Sequence, residues 1–182
     1  VPGWPAWLPG AWSDNIVRSC GWDAIRLIWL DSKKNQSLEG KTVAQIARER
    51  GKDPFDTAVE LTLEEEGRIS MLIFNLSGDE ENEDWLRHTL CHPLAALETD
   101  AILTGRGLPH PAAYGTFPRI LGRYVRELRL MPLEEAVRKM TSFCAQRLGI
   151  KDRGTLRAGN CADITLFDPA TVVDRATYAE PR

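Results

Sequence analysis

The run Arg68–Leu76 constrains the fold more than any other part of the chain. Ile69, Met71 and Ile73 alternate along one side, and Leu72 and Phe74 fill the other. A strand that is apolar on both faces fits a parallel sheet covered by helices. The segments around it point the same way. Ile25–Leu30 reads as a short strand. Val43, Ile46 and Ala47 give Lys41–Arg50 a helical spacing, closed by Gly51. Asp53 is a natural N-cap with Pro54 in the first helical position, and that helix runs to Gly67. Ser77 with Glu80 reads as a capping box for a further helix that ends near His92 and Pro93. The apolar run Leu94–Leu97 reads as another strand. Helices are expected over Pro118–Leu128 and Pro132–Leu148, the second closed by Gly149. Gly154–Gly159 and Ala162–Phe167 read as two short strands around a turn. Strands and helices in alternation argue for α/β architecture with a parallel sheet. The strands are too few for a whole sheet, so a barrel segment and a small open sheet both remain open.

Composition narrows the function classes. The chain has 182 residues, 43% of them hydrophobic and 27% charged, enough to bury a core. A net charge of -3 gives no basic footprint for nucleic acid. The longest apolar runs, such as Met71–Phe74, have strand length, so no membrane span is expected. Residues 1–15 carry Trp4, Trp7 and Trp12 among prolines and read as a loop packed against a rim. No signal peptide is visible, and the opening Val1–Pro5 reads as the interior of a longer chain. Cys20, Cys91, Cys144 and Cys161 are scattered, as expected of free buried thiols in a cytoplasmic protein. Their spacing does not suit a structural zinc site.

Asp100 is the leading candidate for chemistry. It follows an apolar run expected to be a strand, and the C-terminal ends of parallel strands carry ligands and catalysis. A capping role for Asp100 fits the pattern equally well. The loop that follows, 101–117, is long enough to expect a function, and it holds Arg106 and His110. His88 and His92 share a helix face, but the residues between them lack the glutamate of an H-E-x-x-H site, so both are read as surface or helix-end histidines. Glu64–Glu66 reads as a solvated helix end. Asp163 and Asp168 read as turn residues.

The stretch His110–Glu127 resembles the P-H-P-R-x-x-G-T-F-P-R-x-L-G-x-Y-x-R-E signature of D-aminoacylases, the N-acyl-D-amino-acid deacylases of the amidohydrolase superfamily. It matches through Gly115, Thr116, Phe117, Pro118, Arg119, Leu121, Gly122, Tyr124, Arg126 and Glu127. Further matches follow in order at Leu133–Ala136, Lys139–Ser142, Arg147–Gly149, Asp152–Gly154, Ala162, Asp163 and Phe167–Pro169. Upstream, Gly40–Thr42, Ile46, Ala47, Asp53, Pro54 and Leu63–Gly67 fit as well. The likeness covers residues 35–182 well and the first ~35 weakly.

The resemblance implies the C-terminal portion of a TIM-barrel amidohydrolase: the last barrel strands and helices over residues 1–152, and short β strands of a small β-sandwich over 153–182. It implies zinc-dependent hydrolysis of the amide bond of small-molecule N-acyl-D-amino acids, with Asp100 as catalytic general acid/base. His110 and Arg106 are the substrate-binding candidates. The metal ligands of such enzymes lie on earlier strands, so no zinc ligand is expected in this chain, and alone it is expected to be inactive. Two departures stand out. Thr99–Ala101 replaces the family's S-D-G, and Ala112 replaces the arginine associated with the substrate carboxylate. Ala112 cannot form an ion pair, and Arg106 is the candidate substitute. Two alternatives stay open: a cyclic-amide hydrolase of the dihydroorotase or hydantoinase type, and a non-catalytic interaction subunit that kept the fold. Uncovered strand edges predict self-association or pairing with a missing N-terminal half.

Overall fold

The computed structural model describes residues 16–75, 83–102 and 105–182. The tryptophan-rich loop and the Ser77–Glu80 capping signal lie outside the described residues. The chain divides into two compact units, Val1–Asp79 and Glu80–Arg182.

The first unit begins with helix α1 (Ile16–Cys20) and a 3-10 turn, and leads into strand β1 (Ile25–Leu30). Two helices follow, α2 (Val43–Arg50) and α3 (Pro54–Glu64), then strand β2 (Ile69–Ile73). Local chemistry sets the helix boundaries. Thr42 caps α2 through a reciprocal box: its hydroxyl accepts from Gln45 N–H, and the Gln45 side chain accepts from Thr42 N–H at 2.8 Å. Gly51 ends α2 in the left-handed conformation at φ 63°. Asp53 caps α3 by accepting from Phe55 N–H at 2.8 Å, with Pro54 at N1.

The sheet corrects the expected topology. β1 and β2 pair antiparallel, with Ile25 opposite Ile73, Leu30 opposite Ile69, and a register irregularity between Leu27 and Trp29. β2 is not covered on both faces: its residues are half-buried and Met71 is exposed, so its apolar pattern fixes neither full burial nor strand direction. Here the α2–α3 pair covers the sheet. Ile25, Leu27, Leu30, Val43, Ile46 and Leu61 form the core, with Trp22, Leu38, Ala58 and Ile69 packed against it. Each such side chain, fully buried, contributes about 1.5–3 kcal/mol.

The acidic run at the end of α3 is also corrected. Glu64 and Glu66 are exposed, but Glu65 is 1% exposed. Its carboxylate accepts from Ser32 N–H at 2.7 Å, Ser32 Oγ at 2.5 Å and Asn35 Nδ2 at 2.7 Å. Burial works against its charge, but these bonds outweigh burial and hold its pKa below the usual carboxylate value. Glu65 therefore pins the loop after β1 to the end of α3.

The second unit is helical and irregular. It contains α4 (Asp84–Cys91), α5 (Ala112–Arg119), a π-helical segment Ile120–Glu127, α6 (Leu133–Met140) and α7 (Ser142–Arg147). The expected helix 118–128 thus starts six residues early and changes register midway. Pro118 lies inside α5 and cannot donate a backbone bond. Wider bonds follow, such as Leu128 N–H to Arg123 O at 2.8 Å. The expected helix 132–148 is broken at Thr141, whose backbone is at φ -130°, ψ -91°.

Residues 94–97 form no strand. Leu97 is instead buried in the core with Leu90, Ile120, Leu121, Tyr124, Met131 and Ala136, and its N–H donates to Lys139 O at 3.4 Å. Residues 154–159 and 162–167 form no strand either, and Leu156, Ile164 and Leu166 are exposed. An extended run without a neighbouring strand leaves its backbone groups unpaired and gains no ladder. The cysteines are free as expected, but none is buried: Cys91 and Cys161 are exposed, and Cys20 and Cys144 are half-buried. No helix among the described residues is long and apolar enough to cross a membrane.

Candidate active site

Asp100 sits at a sharp corner. Thr99 Oγ accepts from Ala101 N–H at 3.4 Å, so the side chain of one neighbour bonds the backbone of the other across it. Asp100 itself adopts φ 45°, a left-handed conformation that costs any residue with a Cβ but costs Asp and Asn least. Its side chain is exposed and makes no hydrogen bond or ion pair among the described residues. Among the described residues the corner displays the carboxylate and does not use it as a cap.

Arg106 is exposed, between Gly105 at φ 72° and Gly107 at φ 61°. His110 lies just before α5. Its Nδ1 accepts from Ala112 N–H at 3.0 Å. Its Nε2 lies 3.3 Å from Tyr178 Oη, with the two rings edge to face at 88° and 5.3 Å between centroids. Desolvation holds the His110 pKa below the ordinary imidazole value. No hydrogen bond or ion pair joins Asp100 to His110 among the described residues.

The helix after this loop is braced by charge. Glu83, at the start of α4, faces Arg123 at 2.8 Å, Arg87 at 3.2 Å and Arg119 at 3.6 Å, and accepts from Tyr124 Oη at 3.1 Å. Burial opposes its ionisation, but the bonds from Arg123, Tyr124 and Arg87 outweigh it, and its pKa is lowered. Arg119, Arg123 and Tyr124 on this one carboxylate fix the start of α4 against α5 and the π-helical segment, and Arg87 holds the carboxylate from within α4. Arg119, Arg123 and Tyr124 lie in the signature stretch, but Glu83 carried no signal of its own in the sequence. Lys139 was missed too. It is 1% exposed, and its ammonium donates to Leu90 O at 2.7 Å and His92 O at 2.5 Å, closing the carbonyl end of α4.

The remaining sequence candidates resolve as structural. His88 is exposed on α4 and His92 caps its end, where Nδ1 accepts from Leu94 N–H at 3.3 Å. Asp168 makes a turn by accepting from Ala170 N–H and Thr171 Oγ, and Asp163 pairs with Arg153 at 2.7 Å. No group of three or more His, Cys, Asp or Glu among the described residues is placed to hold a metal ion.

The Amidohydrolase family model matches residues 34–182. The chain belongs to the amidohydrolase family. A D-aminoacylase of Alcaligenes xylosoxydans xylosoxydans is 40% identical over 144 residues, which are 79% of this chain and 28% of that protein. Among solved structures, an N-acyl-D-glutamate deacylase from Bordetella bronchiseptica, complexed with zinc and a phosphonate inhibitor, superposes with a TM-score of 0.78 at 37% identity. The match covers 91% of this chain and 32% of that one. A D-aminoacylase structure concerned with a binuclear metal centre gives 0.74 at 36% identity, over 86% of this chain and 30% of that one. The resemblance to D-aminoacylases read from the signature stretch is borne out, and with it the α/β fold of an amidohydrolase. The chain spans less than a third of the length of these relatives.

Proposed function

We propose that this chain forms part of a zinc-dependent hydrolase that cleaves the amide bond of N-acyl-D-amino acids, and that Asp100 is its general acid/base. The observation that carries the proposal is the exposed, unengaged carboxylate held at a left-handed corner ahead of the substrate loop. In this reading Asp100 takes a proton from the attacking water and delivers it to the departing amine nitrogen. The water oxygen joins the acyl carbon and the C–N bond breaks; the second water proton passes from the new carboxylic acid to the amine, so a carboxylate and a free amino acid with a protonated amine result. The proton stays within the site throughout, so Asp100 returns to its starting state. Zinc supplies polarisation of the carbonyl and of the water when bound; its ligands come from residues other than those described. His110 and Arg106 contact the substrate, Arg106 taking its carboxylate because Ala112 has no charge to offer. Residues 1–152 then belong to the hydrolase barrel, and 153–182 add strands to a small β domain, consistent with exposed Leu156, Ile164 and Leu166.

The test is release of free amino acid from N-acetyl-D- and N-acetyl-L-amino acids with zinc supplied, using this chain and a version extended upstream. D-selective activity confined to the extended chain is expected. There, Asp100→Asn should lower kcat by roughly 10²–10⁴ with the fold unchanged. A variant that keeps most of its activity removes the assignment. Ala112 favours one other reading, a cyclic-amide hydrolase of the hydantoinase type, since a hydantoin ring carries no carboxylate for an arginine to pair with. Turnover of hydantoins or dihydropyrimidines in the same panel, without turnover of N-acyl amino acids, would select it.

A further inference from the structure

The segment after Asp168 follows the helices of the second unit at close range before it meets His110. Arg126 Nη1 donates to Pro169 O at 3.2 Å and to Val172 O at 2.6 Å. Arg119 Nη1 pairs with Asp174 at 3.1 Å. Two glycines make room for this path. A Cβ on Gly122 would lie 2.7 Å from Val172 O, and one on Gly115 would lie 3.2 Å from Asp174 Cβ and 3.3 Å from Ala176 Cβ. A reciprocal turn then brackets the next residues: Thr177 N–H donates to Glu180 O at 2.9 Å, and Glu180 N–H donates to Thr177 Oγ at 2.9 Å. Tyr178 lies within that turn.

We infer that Tyr178 is a positioning residue for His110, delivered by the C-terminal segment to fix the orientation of the imidazole by accepting from its Nε2–H. The inference rests on the reading of the 101–117 loop as substrate-binding. The proton assignment follows from donor chemistry. A backbone N–H can only donate, so His110 Nδ1, which receives Ala112 N–H, is the unprotonated nitrogen. The proton of the neutral ring is then on Nε2, and Nε2–H donates to Tyr178 Oη. Protonating Nδ1 would set two N–H groups against each other, so the geometry favours the uncharged ring. Partial desolvation of His110 acts in the same direction. His110 therefore offers the substrate a neutral, rigidly held ring and no counter-charge, which leaves the substrate carboxylate to Arg106.

The test uses Tyr178→Phe, which keeps the ring and removes the hydroxyl that faces Nε2. Long-range proton–nitrogen NMR on the three histidines reads the tautomer directly. In the native chain His110 is expected as the Nε2–H form, with that proton protected from exchange. In Tyr178→Phe the Nε2–H should exchange roughly tenfold faster, as expected for the loss of one hydrogen bond. The signals of His88 and His92 should stay in place, showing the fold intact. Tyr178→Ala should in addition remove the ring-current shift on His110. An Nδ1–H tautomer, or a Tyr178→Phe spectrum identical to the native one, overturns the inference. In the active enzyme, Tyr178→Phe should raise KM more than it lowers kcat. A changed spectrum with unchanged KM would keep the Tyr178–His110 pairing and instead sink the assignment of the loop to substrate.

Discussion

The two units spend their residues differently. In the first, about half of the described backbone lies in two capped helices and a strand pair, and one buried carboxylate, Glu65, ties off the loop after β1. In the second, the helices are interrupted by Pro118 and Thr141, one segment is π-helical, and long stretches follow no regular ladder. The candidate catalytic and substrate residues all lie in the second. Regular elements satisfy their own backbone and leave few groups to display. Irregular backbone leaves corners such as Asp100, provided that packing and ion pairs hold the surroundings still. Glu83 with its three arginines does that holding in the second unit.

The contrast can be broken by substitution. Leu61→Ala, in the core of the first unit, should cost about 2–5 kcal/mol. Hydrogen exchange should show the loss in α2, α3, β1 and β2, with α4–α7 protected as before. Uniform loss across both units would mean that they do not unfold separately. Glu65→Gln should cost about 1–3 kcal/mol at neutral pH, because it weakens bonds to a buried carboxylate. Its pH dependence has a definite sign. The folded pKa of Glu65 lies below its unfolded value, so its contribution is complete above the unfolded pKa and is lost as pH falls through the folded one. Urea midpoints at about pH 7 and about pH 3 should therefore converge between native and variant at the acid end. Parallel curves would show that Glu65 acts through packing alone. Gly122→Ala should cost about 1–3 kcal/mol by forcing Val172 away. Its signature is lost protection after Asp168, with the first unit untouched. Thr42→Ala should cost about 1 kcal/mol and fray only the start of α2.

What could be read from the sequence follows the range of the interactions involved. The N-caps at Thr42 and Asp53 act within three residues, so their residue types sufficed. A strand within Arg68–Leu76 was legible, observed as Ile69–Ile73, but its burial on both faces was not borne out, and its antiparallel partner lies across two helices, so no local pattern carried direction. Glu65 looked solvated because its partners, Ser32 and Asn35, are about thirty residues away. The break at Pro118 was visible as a proline, yet it was read as a helix start, since proline is favoured there too. Leu94–Leu97 is apolar because Leu97 enters a helical core, which a four-residue run cannot distinguish from a strand. Of the candidate site, Asp100, Arg106 and His110 were nominated from their order and chemistry alone. The partner of His110 was not, because Tyr178 reaches it across 68 residues.

The pairing of Ile25 with Ile73, continued by Phe74 N–H on Ala24 O at 2.9 Å, brings both ends of the strand–helix–helix–strand segment side by side. A segment whose entry and exit lie one strand spacing apart can be shortened, exchanged or re-joined by a brief linker without moving the chain on either side. Residues 25–73 are thus a natural cassette: a place where a longer enzyme could vary a whole module while keeping its framework, and where a designer could do the same.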